Sequence, residues 1–250
     1  MAPFIDILGF SVSSYHACLS LAFVVGLALL LNANRRLRQP LSMNWLMIVP
    51  LYLASLLGAK LMFLFLPQNA SPGARVLSLW KAGYWYHGGL FGGISAYLVY
   101  HAAKGNNIIE GLDLAAPFVC LGEAITRVGC FLNGCCYGSV TSLLPGIVFP
   151  RGSIIYQQHL REGLITEDAA VSLPIHPVQL YMALALVLMF VLLRLAYQRR
   201  AIHGETILLF LISHSLIRFW TEFLRTDILK AGLGLSPTQW LAVLVYLLAL

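Results

Sequence analysis

Long apolar runs alternate with short polar stretches along this chain, and the pattern predicts seven helices. Crossing the hydrocarbon of a membrane takes roughly 20 mainly apolar residues, and most of the runs approach that length. The predicted helices cover residues 12–32, 44–66, 86–103, 108–132, 176–196, 206–225 and 236–250. The last is short for a crossing and stops at Leu250. We therefore expect an all-α polytopic membrane protein.

Composition supports the same class. A chain of 250 residues that is 59% hydrophobic and 10% charged has too many apolar side chains for one water-soluble globule. The first apolar run lacks the preceding basic region and cleavage site of a signal peptide, so we expect it to be retained as a span. Residues 139–174 mix proline, glycine and charge, which favours a small cap outside the membrane. With no repeat and no second soluble region, residues 1–250 are expected to form a single membrane-embedded domain.

Basic clusters in short loops predict the orientation. They follow the first and fifth predicted helices, and such clusters mark the cytoplasmic side: Arg35, Arg36, Arg38, Arg199 and Arg200. This puts the N-terminus and the cap outside and the C-terminus in the cytoplasm. The net charge of +6 fits contact with anionic lipids. No basic face with interleaved aromatics lies outside the predicted helices, so we expect no nucleic-acid partner.

The predicted helix over 206–225 carries a charged stripe. Spacings of four, four and three residues place four side chains on one helical face: His214, Arg218, Glu222 and Arg225. An ionised side chain at bilayer depth costs at least ~2.5 kcal/mol and marks a candidate functional site. Either Arg218 and Glu222 neutralise each other and only fix helix packing, or this face lines a polar cavity.

A second carboxylate and arginine, Glu123 and Arg127, lie one turn apart in the predicted helix over 108–132. The stretch GCFLNGCCYG follows them at once, and its glycines would let the backbone approach a ligand. Two such pairs on otherwise apolar helices favour an anion site within the membrane. The obvious anion there is a lipid phosphate.

Further polar side chains lie at the predicted membrane surface. His87 stands in GYWYHGGLFGG, residues 83–93, between aromatics typical of an interfacial belt and glycines that permit close packing. It is either an interfacial group or a general base, because imidazole titrates near neutrality. Interfacial anchoring is also the simpler interpretation of three residues near the fifth helix: His176, Gln179 and Tyr181.

Three cysteines, Cys130, Cys135 and Cys136, raise the question of a metal or redox site. Their spacing contains no C-x2-C pair, and no second cysteine pair exists elsewhere to complete four ligands. We therefore expect no metal, and a structural or disulfide role for some of them, with a reactive thiol as the alternative. Cys18 and Cys120 lie inside apolar runs, where a free cysteine behaves as a small hydrophobe.

Together these blocks resemble the prolipoprotein diacylglyceryl transferases, seven-helix enzymes of the bacterial inner membrane. The resemblance covers nearly the whole chain and begins with Tyr15 in the first helix. The matching blocks are GAKL at 58–61, HGGLFGG at 87–93, the signature at 127–138, HPVQLY at 176–181 and RFWTEFLR at 218–225.

The resemblance implies that the chain moves the diacylglyceryl group of phosphatidylglycerol onto the lipobox cysteine of a preprolipoprotein, forming a thioether and releasing glycerol phosphate. It makes His87 the candidate base for the acceptor thiol, and Arg127 and Arg218 the cations that hold the phosphate. No metal or cofactor is needed. Around these three residues we expect a substrate-binding set: Tyr15, Lys60, Asn133, Gly138, His214, Glu222 and Arg225.

The chain departs from the family pattern, which reads roughly G-R-x-G-N-F-x-N-x-E-x-x-G. Thr126 replaces the first glycine, Cys130 the first asparagine and Cys135 the glutamate, whereas Asn133 and Gly138 are kept. Three further differences lie elsewhere: Lys60 for arginine, Met182 for glutamate and His214 for tyrosine. Two alternatives therefore stay open, the same fold acting on a different acceptor and a non-catalytic lipid-binding protein.

Overall fold

The described part of the chain is mostly helical, as the pattern predicted. The computed structural model describes residues 4–7, 10–37, 41, 47–65, 86–225 and 232–249. Its helices are α1 (Ser14–Arg35), α2 (Ile48–Phe65), α3 (Tyr86–Ala103), α4 (Ile108–Asn133), α5 (Ile154–Arg161), α6 (Val178–Arg199), α7 (Glu205–Glu222) and α8 (Pro237–Ala249). All but α5 match predicted helices to within a few residues.

Three short elements were not predicted. Strands β1 (Phe4–Ile7) and β2 (Phe10–Ser13) pair antiparallel, with Phe4 opposite Ser13 and Ile7 opposite Phe10. Helix α5 has eight residues and lies in the predicted cap. Elements this short give little hydrophobic periodicity, which is why the sequence pattern passes over them.

The chain clusters into two compact units. One comprises Met1–Leu30 and Leu112–Leu250, and the other comprises Leu31–Gly111. The single-domain interpretation of residues 1–250 stays a prediction.

In the Leu31–Gly111 unit, α2 and α3 pack through glycine. A methyl group added to Gly88 would overlap the carbonyl oxygen of Gly58, and one added to Gly92 would overlap that of Ala54. Small residues four apart on both helices therefore let the two backbones touch, as in membrane helix pairs. The glycines of HGGLFGG serve helix packing in this structure.

In the other unit, α4 and α7 run parallel. Near the start of α4, the buried Asp113 accepts hydrogen bonds from the backbone N–H of Gly204 (2.7 Å) and Ile207 (2.8 Å). Its carboxylate thus satisfies the open N-terminus of α7. Ten residues further along both helices, Glu123 of α4 meets His214 of α7. Because a ten-residue advance along α4 corresponds to a ten-residue advance along α7, the two helices run in the same direction.

An apolar core supports α4 from a third helix. Cys120 and Ala124 of α4 pack with Leu186, Met189 and Leu193 of α6, and all five are buried. The thiol of Cys120 donates to the Leu186 carbonyl at 3.1 Å. Cys120 is therefore a packing residue, in agreement with its interpretation as a small hydrophobe.

The predicted cap, residues 139–174, has a small core of its own. Phe149 and Ile155 pack with the flanking Tyr137 and Ile175. His159 of α5 is buried, and its Nδ1 accepts the Leu173 N–H at 3.3 Å. Burial lowers the pKa of His159 below its ordinary value. The ring is therefore neutral and serves the packing of the cap.

Among the described residues, α1 and α6 are long and apolar enough to cross a membrane, and shorter apolar helices cover Val49–Met62 and Pro237–Ala249. The pattern predicted seven spans. Helices α4 and α7 are not among these four, and each carries at least three charged side chains. These two helices carry most of the candidate site.

Candidate functional site

The α4 pair, Glu123 and Arg127, forms the first half of the site. Arg127 Nη2 donates to Glu123 Oε1 at 2.7 Å, and the other carboxylate oxygen, Oε2, lies 2.8 Å from His214 Nε2. Both members of the pair have side chains only 17% exposed. Glu123 thus holds its own arginine and also ties α4 to α7.

The α7 pair, Arg218 and Glu222, forms the second half. Arg218 Nη2 lies 3.4 Å from Glu222 Oε2, while Glu222 Oε1 accepts a hydrogen bond from Ser236 Oγ at 3.0 Å. Ser236 in turn exchanges hydrogen bonds with Gln239, its N–H donating to Gln239 Oε1 and its Oγ accepting the Gln239 N–H. This reciprocal arrangement is a capping box at the start of α8.

The two arginines lie close enough for their charges to interact, and Glu123, Glu222 and Arg225 are within the same range of Arg218. Arg127 Nε is buried and makes no hydrogen bond to a described residue. Among the described residues, Arg218 Nη1 has the sulfur of Met182 as its hydrogen-bond partner, at 3.8 Å. A buried donor without a partner costs free energy, and a phosphate oxygen would satisfy it with a charge-assisted bond.

The cysteine turn, residues 130–136, follows Arg127 directly. The sulfur atoms of Cys130, Cys135 and Cys136 all lie within 4.8 Å of one another, and all three are free thiols. Left-handed backbone at Gly134 (φ 73°) and Cys136 (φ 60°) folds the chain back on itself. Gln179 Nε2 donates to the Cys135 carbonyl at 2.8 Å, and fixes the turn against α6.

Several predicted binding residues surround this turn. Asn133 ends α4, and its side chain is close enough to the Cys135 thiol to interact with it. Tyr15, in the first turn of α1, is close enough to all three thiols and to Arg127 for electrostatic interaction. Gly138 pairs with Arg225 in an isolated β-bridge, which brings Arg225 to the turn. A methyl group on Gly138 would collide with His176, so a side chain does not fit there.

Two predicted residues belong to the Leu31–Gly111 unit. Lys60 is half-buried in α2. His87 is the second residue of α3, and its side chain lies outside the described part of the chain. Their roles stay predictions.

Sequence reasoning missed the residues that support the arginines. Ser236 and Gln239 were detectable, because S-x-x-Q before an apolar run is the signature of a capping box. Gln179 was interpreted as an interfacial anchor, yet it is buried and holds the cysteine turn. Only the fold reveals its partner, which lies 44 residues away in sequence.

Comparison with known proteins identifies the family. The family model described as prolipoprotein diacylglyceryl transferase matches residues 3–250. The chain belongs to this family. The predicted resemblance is confirmed.

Similar proteins carry the matching name. A phosphatidylglycerol-prolipoprotein diacylglyceryl transferase of Clostridium tetani is 25% identical over 247 residues, which is 98% of this chain and 93% of that protein. Proteins of the same name from Bacillus velezensis (31% over 179 residues) and Methylibium petroleiphilum (33% over 173) are matched over 70% and 68% of this chain. These two alignments span 62% and 60% of the relatives' own lengths.

Proposed function

We propose that this family member transfers the diacylglyceryl group of phosphatidylglycerol to the lipobox cysteine of a prolipoprotein. The family and the names of the relatives support this reaction. The observation that carries it in the structure is the pair of largely buried arginines on parallel helices, with Arg127 Nε lacking a described partner.

In the proposed reaction, the acceptor thiolate attacks the terminal glyceryl carbon of the diacylglyceryl group. A C–S bond forms, the C–O bond to the phosphate breaks, and glycerol phosphate leaves with the bonding electrons. The phosphate gains negative charge as the C–O bond breaks. Arg127 and Arg218 stabilise this charge, more strongly where water is scarce.

The thiol proton needs an acceptor, and His87 is the proposed base. The proposed substrate-binding set remains Tyr15, Lys60, Asn133, Gly138, His214, Glu222 and Arg225. Within it, His214 and Glu222 act through other residues, since they bind Glu123 and Arg218. Gly138 acts by its lack of a side chain.

We propose that the protein lies in the bacterial inner membrane, spans it seven times, and has its N-terminus and the 139–174 cap outside. Two observations support this topology. Helices α4 and α7, the fourth and sixth proposed spans, run in the same direction, as even-numbered spans must. Leucines along α6 face outward, as a lipid-contacting surface requires: Leu184, Leu188, Leu192 and Leu195. The absence of a nucleic-acid partner stays a prediction.

The test uses purified protein in phosphatidylglycerol nanodiscs with a lipobox peptide. We expect the peptide to gain the diacylglyceryl mass as glycerol phosphate appears, and both products to be lost in Arg127→Ala. Arg161→Ala is the matched control, because Arg161 is exposed on α5. Glycerol phosphate without modified peptide would indicate a different acceptor. Neither product from folded protein would contradict the transferase and favour a lipid-binding protein.

A further inference from the structure

The thiol groups of the three cysteines in the cysteine turn lie close together. The three sulfurs lie within 4.8 Å of one another. Zn–S bonds of about 2.3 Å in tetrahedral geometry place the sulfurs of three ligands roughly 3.8 Å apart. A contraction of about 1 Å, within the reach of side-chain rotation, would bring all three sulfurs to one zinc ion.

Hydrogen bonds fix the backbone of the cysteine turn without a metal. The Cys135 N–H donates to the Cys130 carbonyl at 3.1 Å, and Gln179 holds the Cys135 carbonyl. Cys130 is buried in the last turn of α4. A site organised in this way loses little conformational entropy when an ion binds.

Charge also favours a thiolate site here. Three thiolates and one Zn²⁺ leave a net charge of −1. Arg127 and Arg225 both lie close enough to Cys136 for their positive charges to offset it. A disulfide would use two of the thiols and leave the third without a function, whereas one metal ion uses all three.

Among the described side chains, the fourth coordination position has no candidate protein ligand. Among the described histidine, cysteine, aspartate and glutamate side chains, only these three cysteines share the site. Structural zinc sites have four protein ligands, and catalytic sites have three and an open position. A thiol that enters such a position is deprotonated by the metal.

We propose that Cys130, Cys135 and Cys136 bind one Zn²⁺ ion as thiolates, and that the acceptor thiol takes the fourth position. The second part rests on the proposed function. The ion would hold the acceptor as a thiolate once the thiol proton has passed to His87, the base of the proposed function. That thiolate forms the C–S bond, the C–O bond breaks, and glycerol phosphate leaves, with no change in oxidation state. This departs from the expectation of no metal, which rested on the cysteine spacing and on the lack of a second cysteine pair to complete four ligands.

The first experiment measures zinc in the reduced full-length protein in nanodiscs, after equilibration with Zn²⁺ and removal of loosely bound metal by a weak chelator. We expect about one zinc per chain, and loss of most of it in Cys135→Ser and in Cys136→Ser, because a site left with two thiolates binds poorly. Cys18→Ser is the matched control, a half-buried cysteine of α1 outside the cluster, and should keep its zinc. Circular dichroism identifies a variant that fails to fold.

Two results would overturn the metal site. One is folded wild-type protein that retains no zinc, and the other is zinc loss in Cys18→Ser equal to that in Cys135→Ser. A third contradicting result would come from mass spectrometry of the protein prepared without reductant. It is a disulfide between two of the three cysteines that is present in the active enzyme.

The second experiment tests the open position with Co²⁺ in place of Zn²⁺. A lipobox peptide should change the thiolate-to-cobalt absorption bands in a saturable way, and the same peptide with serine for cysteine should not. Identical spectra with both peptides would overturn the open position. Transfer activity in folded protein that binds no zinc would sink this inference and leave the proposed function standing. Zinc binding without glycerol phosphate release would support the metal site and contradict the proposed transferase activity.

Discussion

The two arginine-carboxylate pairs of the site have the same spacing and different anchors. In α4 the glutamate precedes the arginine, the pair closes at 2.7 Å, and the second carboxylate oxygen binds His214 on another helix. In α7 the arginine precedes the glutamate, the closest approach is 3.4 Å, and the second oxygen binds Ser236. Glutamate before the cation is also the more favourable order on a helix.

This difference assigns the two arginines different tasks. Arg127 is fixed by a short hydrogen bond, with its Nε donor left available. Arg218 makes no close hydrogen bond to Glu222, and Met182 offers it only a sulfur atom. We infer that Arg127 is already held in position before the phosphate binds, whereas Arg218 changes its position when the phosphate binds.

Removal of either guanidinium should have the largest effect. Arg127→Ala and Arg218→Ala should each lower the transfer rate by about 10²- to 10³-fold, the usual cost of losing one group that stabilises a developing anion. Glycerol phosphate release in phosphatidylglycerol nanodiscs measures it, with Arg161→Ala as the control. Full activity in either variant would contradict the phosphate clamp.

Lysine substitutions at Arg127 and Arg218 should distinguish the arginine that is held in position from the arginine that moves. Arg127→Lys should stay close to Arg127→Ala, because an ammonium cannot span Glu123 and a phosphate with the planar geometry of a guanidinium. Arg218→Lys should be about tenfold more active than Arg127→Lys, a difference worth about 1.4 kcal/mol. The same assay decides this, and the opposite order would refute the assignment of roles.

Loss of Glu123 should destabilise the protein more than loss of its histidine partner. Glu123→Ala leaves the guanidinium of Arg127 largely buried without its counterion, which costs about 3 kcal/mol. His214→Phe should cost only about 1 kcal/mol, since the ring can keep its stack on Phe210 and only the hydrogen bond is lost. Thermal unfolding in nanodiscs measures both. Equal losses would show that the tie between α4 and α7, and not the charge of Arg127, dominates.

The sequence predicted what depends on local periodicity. The apolar runs located α1 to α4 and α6 to α8, and the four-residue spacings located both ion pairs, because neighbours on a helix are fixed by its geometry. The family is confirmed by the family model, and the reaction it names agrees with the relatives.

Hydrogen bonds between residues far apart in sequence could not be predicted. Asp113 and Gly204 are 91 residues apart, as are Glu123 and His214, and no local pattern links them. The close approach of the three cysteine sulfurs was not predicted for a related reason, because motif spacing assumes a standard turn. Here two left-handed residues bring Cys130 to its neighbours.

Ser236→Ala should have the smallest effect, and it tests the α7 pair alone. The variant loses the hydrogen bond to Glu222 and one of the two bonds of the capping box, together about 1 to 2 kcal/mol of stability. Ser236→Thr keeps the hydroxyl and should unfold near the wild-type temperature. Transfer activity should fall only a few-fold, because Glu222 released from Ser236 can still neutralise Arg218. A loss of transfer activity as large as that of Arg218→Ala would mean that Ser236 holds Arg218 in position through Glu222. Arg218 would then be as firmly held as Arg127, and the proposed contrast between the two pairs would be wrong.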